Sequence, residues 1–164
     1  MSGIIDTVGS KSGNVGSDVY PAGMLRQVKH VLLGTIASGS DNAYFPNSAS
    51  FDNSILSTSD VLLTATGVGT KRHTTVSDGF ADLYFSSDTA GSSLGDGLSG
   101  HRFALYLNYG NSPEHQRFAW AGQHLVVTPG TTTPTFKVFV FINATHNMEF
   151  EDSNSSITLW EITG

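Results

Sequence analysis

Apolar residues in this chain recur at every second position, in short runs separated by Gly, Pro, Asn and Ser, and no stretch carries a sustained helical period. The clearest alternation is "HRFALYLNY", with Phe103, Leu105, Leu107 and Tyr109 on one face and Arg102, Ala104, Tyr106 and Asn108 on the other. "TFKVFVFIN" is richer: Phe136, Val138, Val140 and Ile142 line one side, while Phe139 and Phe141 crowd the other. "SITLWEI" divides in the same way, with Ile157 and Leu159 set against Trp160 and Ile162. Weaker alternation runs through "LRQVKHVLL", "DVLLTAT", "KRHTTVS", "FADLYF" and "QRFAWAGQHLVVT". The last of these loses step at Gly122, where a bulge would restore register. Roughly eight to ten short strands at this spacing predict an all-β sandwich or jelly roll.

In a two-sheet sandwich only one face of each sheet meets the core. Strands that are apolar on both faces therefore need a second covering layer, and a partner subunit supplies it most simply. On that ground Tyr106, Phe139, Phe141 and Trp160 are candidate contacts between copies. The first 22 residues read differently. They are rich in Gly and Ser, hold scattered aliphatics without a period, and end at the turn signal Tyr20-Pro21-Ala22-Gly23. The expected organisation is an extended N-terminal arm over 1–22 and a folded domain over 23–164.

Composition supports an all-β reading. Charged residues are 13% of the chain, about half the usual share, and Gly, Ser, Thr and Asn take their place. Helix surfaces favour Glu, Lys and Arg, whereas strands and tight turns tolerate the small polar residues. Ten Phe, five Tyr and two Trp argue against a disordered polar chain. The formal charge of −6 offers no basic stripe for nucleic acid, and Lys71-Arg72-His73 is too short to make one. No apolar run approaches the ~20 residues that span a bilayer, so no membrane insertion is expected. The opening "MSGIIDTVGS" lacks the basic start and apolar centre of an export signal, and there are no cysteines.

Candidate chemistry is sparse. Gly91-Ser92-Ser93-Leu94-Gly95 matches the nucleophile-elbow spacing, and Gly95 to Gly100 matches G-x-G-x-x-G. The elbow needs a strand before it and a helix after it, as does a dinucleotide loop. Here Ser, Thr and Gly flank both matches, and a strand follows Gly100. With 18 glycines in 164 residues, three fixed glycines arise by chance about 0.2 times per chain. Six histidines are dispersed without zinc-site spacing, and Asp82, Asp88 and Asp96 lack a calcium-loop pattern. Glu149, Glu151 and Asp152 read as a solvated acidic turn rather than a glycosidase pair. No catalytic residue, metal site or cofactor is expected.

The two ends of the chain are more informative. Gly9-Ser10-Lys11-Ser12-Gly13-Asn14-Val15-Gly16, the segment "YPAGMLRQVKHV" and the closing "SSITLWEITG" together resemble small virion-associated proteins of marine bacteriophages. That resemblance implies a jelly roll of the tumour-necrosis-factor type, a homotrimer, and a non-enzymatic role on the outer surface of a virion assembled in the host cytoplasm. It implies a capsid decoration or head-fibre protein, with a short tail fibre that contacts the host surface as the alternative. A carbohydrate-binding or carbohydrate-active sandwich, with a host-surface glycan as ligand, is the reading from a different class. Under the first reading Ile4, Ile5, Val8, Lys11 and Val15 are the candidate contacts of the arm with the major capsid protein or another virion protein. Spaced aliphatics in a glycine-rich segment suit an extended chain laid in a groove. Phe139, Phe141 and Tyr106 would then line the trimer axis.

Overall fold

Alternation at period two produces strands. In a computed structural model the described residues, 22–39, 43–72, 79–86, 102–108, 116–142, 147–150 and 155–164, form eleven strands and no helix. They are β1 (Leu25–Leu32), β2 (Ile36–Gly39), β3 (Ala43–Tyr44), β4 (Ala49–Ser50), β5 (Asp60–Arg72), β6 (Gly79–Ser86), β7 (Arg102–Asn108), β8 (Gln116–Val126), β9 (Thr135–Ile142), β10 (Asn147–Phe150) and β11 (Ser156–Ile162). Their pairing is nested and antiparallel: β1 with β11, β3 and β4 with β9, β5 with β8, β6 with β7. The chain is a long hairpin folded over on itself. β2 pairs with β10 in the same nest, and three further pairings, β11 and β10 with β5 and β9 with β6, roll that hairpin into two layers. The six-stranded sheet runs β1-β11-β5-β10-β2 with β8 on the other side of β5, and the five-stranded sheet runs β3-β9-β6-β7 with β4 also on β9. This nesting is the jelly-roll sandwich.

The inward positions of each strand make the core. Val61, Leu63 and Ala65 of β5 with Ile157 and Leu159 of β11 face Leu83 and Phe85 of β6 and the Phe136, Val138, Val140 series of β9. One end is filled by a run of rings. Phe45 lies 5.9 Å from Trp120 and 5.5 Å from Phe150, which lies 5.9 Å from Phe118. Each fully buried Phe contributes about 1.5–3 kcal/mol through lost apolar hydration.

Three sequence expectations need correction here. "DVLLTAT" and the start of "KRHTTVS" belong to one strand, since β5 continues through Gly67 and Gly69 to Arg72. The glycines do not break it, because Gly67 faces Trp120 and Gly69 faces Phe118 across the ladder. Those rings occupy the space where a β-carbon would stand. A Gly67→Ala substitution, which drives a methyl into Trp120 and Ser155, is expected to cost about 1–3 kcal/mol by overpacking, read as a lower urea midpoint. The bulge expected at Gly122 is not there. The β5–β8 register runs unbroken from Val61↔Val126 to Lys71↔Gln116, and Gly122 takes an ordinary place opposite Ala65. The acidic turn is also partly strand: Glu149 stands in β10, while Glu151 and Asp152 lie outside the described residues.

Candidate functional site

A bulge does occur, in β1, and it builds the most polar feature of the interior. The register passes from Leu25↔Ile162 to Gln27↔Glu161, so Arg26 is the extra residue and two consecutive side chains oppose one glutamate. Glu161 follows Ile157 and Leu159 on the inward face of β11, and its side chain is 0% exposed against 22% for Arg26. Arg26 Nη1 donates to both carboxylate oxygens at 3.0 Å, and Gln27 Nε2 donates to one at 2.7 Å. The Leu56 N–H and the Ser59 hydroxyl donate to Oε1 at 2.9 and 2.8 Å. Burial pushes this carboxyl up, but the hydrogen bonds from Leu56, Ser59, Gln27 and Arg26 outweigh it and hold the group below its ordinary value. Arg26 and Gln27 also donate to the Ser54 and Asn53 carbonyls, and Lys29 pairs with Asp52 at 2.6 Å. The clamp thereby fastens the 52–59 segment to β1 and β11. Every oxygen lone pair of Glu161 is engaged by a fixed donor, so the group is a structural tie and not a base open to substrate. The sequence held one signal of it: an acidic residue in step with Ile157 and Leu159.

The four expected contact residues do not form one surface. Phe139 and Phe141 belong to the outer face of the five-stranded sheet, whereas Trp160 stands on the outer face of the six-stranded sheet, across the core. Phe139 is 7% exposed in the single chain, because Tyr44 opposite it on β3 meets its ring edge-on at 4.8 Å and Tyr84 flanks it at 6.4 Å. It has little surface left to lose on assembly, which corrects its expected place on a trimer axis. Phe141 remains half-buried. Tyr106 belongs to β7, where its backbone pairs with Ala81, the residue before Asp82. Arm residues Ile4, Ile5, Val8, Lys11 and Val15 lie outside the described residues, as do Ser93 and the glycine-rich matches at 91–100.

Trp160 has company that sequence reading missed. Antiparallel register sets Val28, Trp160, Leu62 and Leu125 side by side in one row across β1, β11, β5 and β8. Direct cross-strand partners share a face, and this one points away from the core. Val28 and Leu125 are 46% and 45% exposed, with Trp160 and Leu62 half-buried between them. Leu25 and Ile162 extend the patch in the next row, and Val127 follows at the end of β8. Among the described residues no group of three or more His, Cys, Asp or Glu could hold a metal ion. Asp82, within the expected strand "FADLYF", is a buried residue of β6 that accepts from the Tyr84 hydroxyl at 3.3 Å. His124 points inward and stacks on Phe85, while His30 is exposed.

No protein-family profile matches the chain, and no curated protein does. Among solved structures it is similar to one of infectious bursal disease virus Gx strain, at 10% identity and TM-score 0.47, over 92% of this chain and 38% of that one. The infectious bursal disease virus VP2 subviral particle gives 12% identity and TM-score 0.48, over 92% and 37%. A Stig cyclase from Fischerella sp. TAU gives 10% identity and TM-score 0.32, over 89% and 81%. The chain thus spans well under half the length of the viral proteins it matches. Its assignment as a jelly roll rests on its own strand order.

Proposed function

We propose that this protein is a non-enzymatic structural component of a bacteriophage virion, a capsid decoration protein that works as a homotrimer. The observation that carries the assembly part is the apolar, nearly uncharged row on the outer face of the six-stranded sheet, the kind of surface that marks a protein–protein contact. The virion and the three copies come from the resemblance of the chain ends. The polar interior fits the same reading, because its one fully engaged carboxylate braces a loop and leaves no lone pair for catalysis.

In this reading residues 1–22 anchor the protein to the shell. A fully buried aliphatic side chain supplies about 1.5–3 kcal/mol, while ordering each residue of the arm costs about 1–2 kcal/mol. A single arm therefore binds weakly, and several arms on one assembly provide retention through multivalency. Deleting residues 2–16 is expected to leave a folded protein with nearly unchanged melting temperature that no longer joins particles. Cryo-electron microscopy of intact virions checks this: density for the jelly roll on the shell with the full chain, and none with the truncated one. Full occupancy by the truncated protein would place the anchor in the jelly roll. Density at the tail tip would make it a fibre component.

A further inference from the structure

We infer that copies of this chain pack against one another through the outer face of the six-stranded sheet, centred on the Val28–Trp160–Leu62–Leu125 row. The inference rests on the assembly reading above and names its surface. Area is the first ground. Leu25 and Val127 are 49% and 64% exposed and border the row. Together these side chains make an apolar patch of roughly 500 Å², near the upper end of what monomers carry. With its polar surround the face approaches the ~800 Å² that each partner buries in a standard interface.

The polar atoms of the face give a second ground. Trp160 donates its indole N–H to Thr64 Oγ1 at 3.2 Å, within its own chain. His30 Nδ1 is bonded to Thr158 Oγ1 at 3.0 Å, and Asp60 Oδ1 accepts the Thr128 N–H at 3.0 Å. These groups at the centre and edge of the row can be dried without being stranded, because each already has a partner within the chain.

Charge identifies the occupant. The chain carries −6, so two copies repel one another wherever carboxylates meet. Across the rows that start at Leu25, Val28, His30 and Leu32, Asp60 is the one carboxylate and there is no Lys or Arg. An acidic partner would find no counter-charge here, and a basic one only Asp60 at the end of the face, whose Oδ1 already accepts the Thr128 N–H. A second apolar face of the same make fits, and like-charged copies can close on it.

Sedimentation velocity at micromolar concentration tests the inference on the full chain, with Trp160→Glu, Leu125→Glu and Val28→Glu variants and circular dichroism to confirm folding. The wild type is expected as an oligomer of the 17.4-kDa chain, three copies under the proposed function, and each folded variant as a monomer. Val28, on edge strand β1 and 46% exposed, keeps the test open if a charge at half-buried Trp160 prevents folding. Lys137→Glu, on the opposite sheet, should remain assembled. A monomeric wild type, or an oligomer that persists in the folded variants, overturns the inference. An oligomer that these substitutions break but that is absent from virions leaves the inference standing and removes the virion reading.

Discussion

Replacing Glu161 with alanine is expected to destabilise the fold by about 3–5 kcal/mol, the usual cost of removing one partner from a buried ion pair. The loss exceeds that of one salt bridge because four residues lose their acceptor together: Arg26, Gln27, Ser59 and the Leu56 amide. The 52–59 segment should loosen first, seen as faster amide exchange there, while urea denaturation measures the global loss. The same group makes stability depend on pH. Its folded pKa lies below the unfolded value of 4.5, so its contribution is complete above that value. As pH falls through the folded pKa the contribution disappears. Glu161→Gln, which cannot titrate, should therefore be less stable than wild type at neutral pH, and the difference should shrink as the solution is acidified. A difference that stays constant from neutral pH to pH ~3 would refute this account of the clamp.

Phe45→Ala is expected to cost a comparable about 3–5 kcal/mol, by the loss of transfer energy and the cavity left behind. Phe45 is fully buried, and its ring holds those of Trp120 and Phe150 on either side. Its backbone is tied too, with its N–H donating to the Val138 carbonyl at 2.9 Å. The neighbours are large, ladder-bound rings that cannot collapse into the gap, so most of the cavity should persist. Urea unfolding measures the loss.

Period-two alternation was enough to place most strands. It is a local property, and β11 was found at its full extent as "SITLWEI" while β9, Thr135–Ile142, lies within "TFKVFVFIN". The interruptions were harder. Gly67 and Gly69 look like a break when read along the chain, yet they lie inside β5 because rings from β8 fill the space above them. Likewise Gly122 suggested a bulge where the register is regular, while a bulge sits at Arg26, where an unremarkable polar residue is extra only relative to β11. The short strands β2, β3, β4 and β10 fell below any periodic signal, since two to four residues cannot establish a period.

By itself the sequence determined the all-β class, the long strands and their two-faced character, because side-chain direction along a strand follows from backbone geometry alone. It also marked Trp160 as a residue needing cover. What it left open was which outward faces stay uncovered, and that depends on neighbours distant in the chain. Phe139 is closed off by Tyr44, which is opposite it only through the β3–β9 pairing. Val28, Leu62 and Leu125 become a surface only because antiparallel register puts them beside Trp160. Glu161 is a tie and not a stray charge only because a bulge in β1 brings Arg26 and Gln27 to it from the other end of the chain. Alternation is set by adjacent residues, whereas cover, register and hydrogen-bond partners are set by which strands meet, and only the tertiary structure decides that.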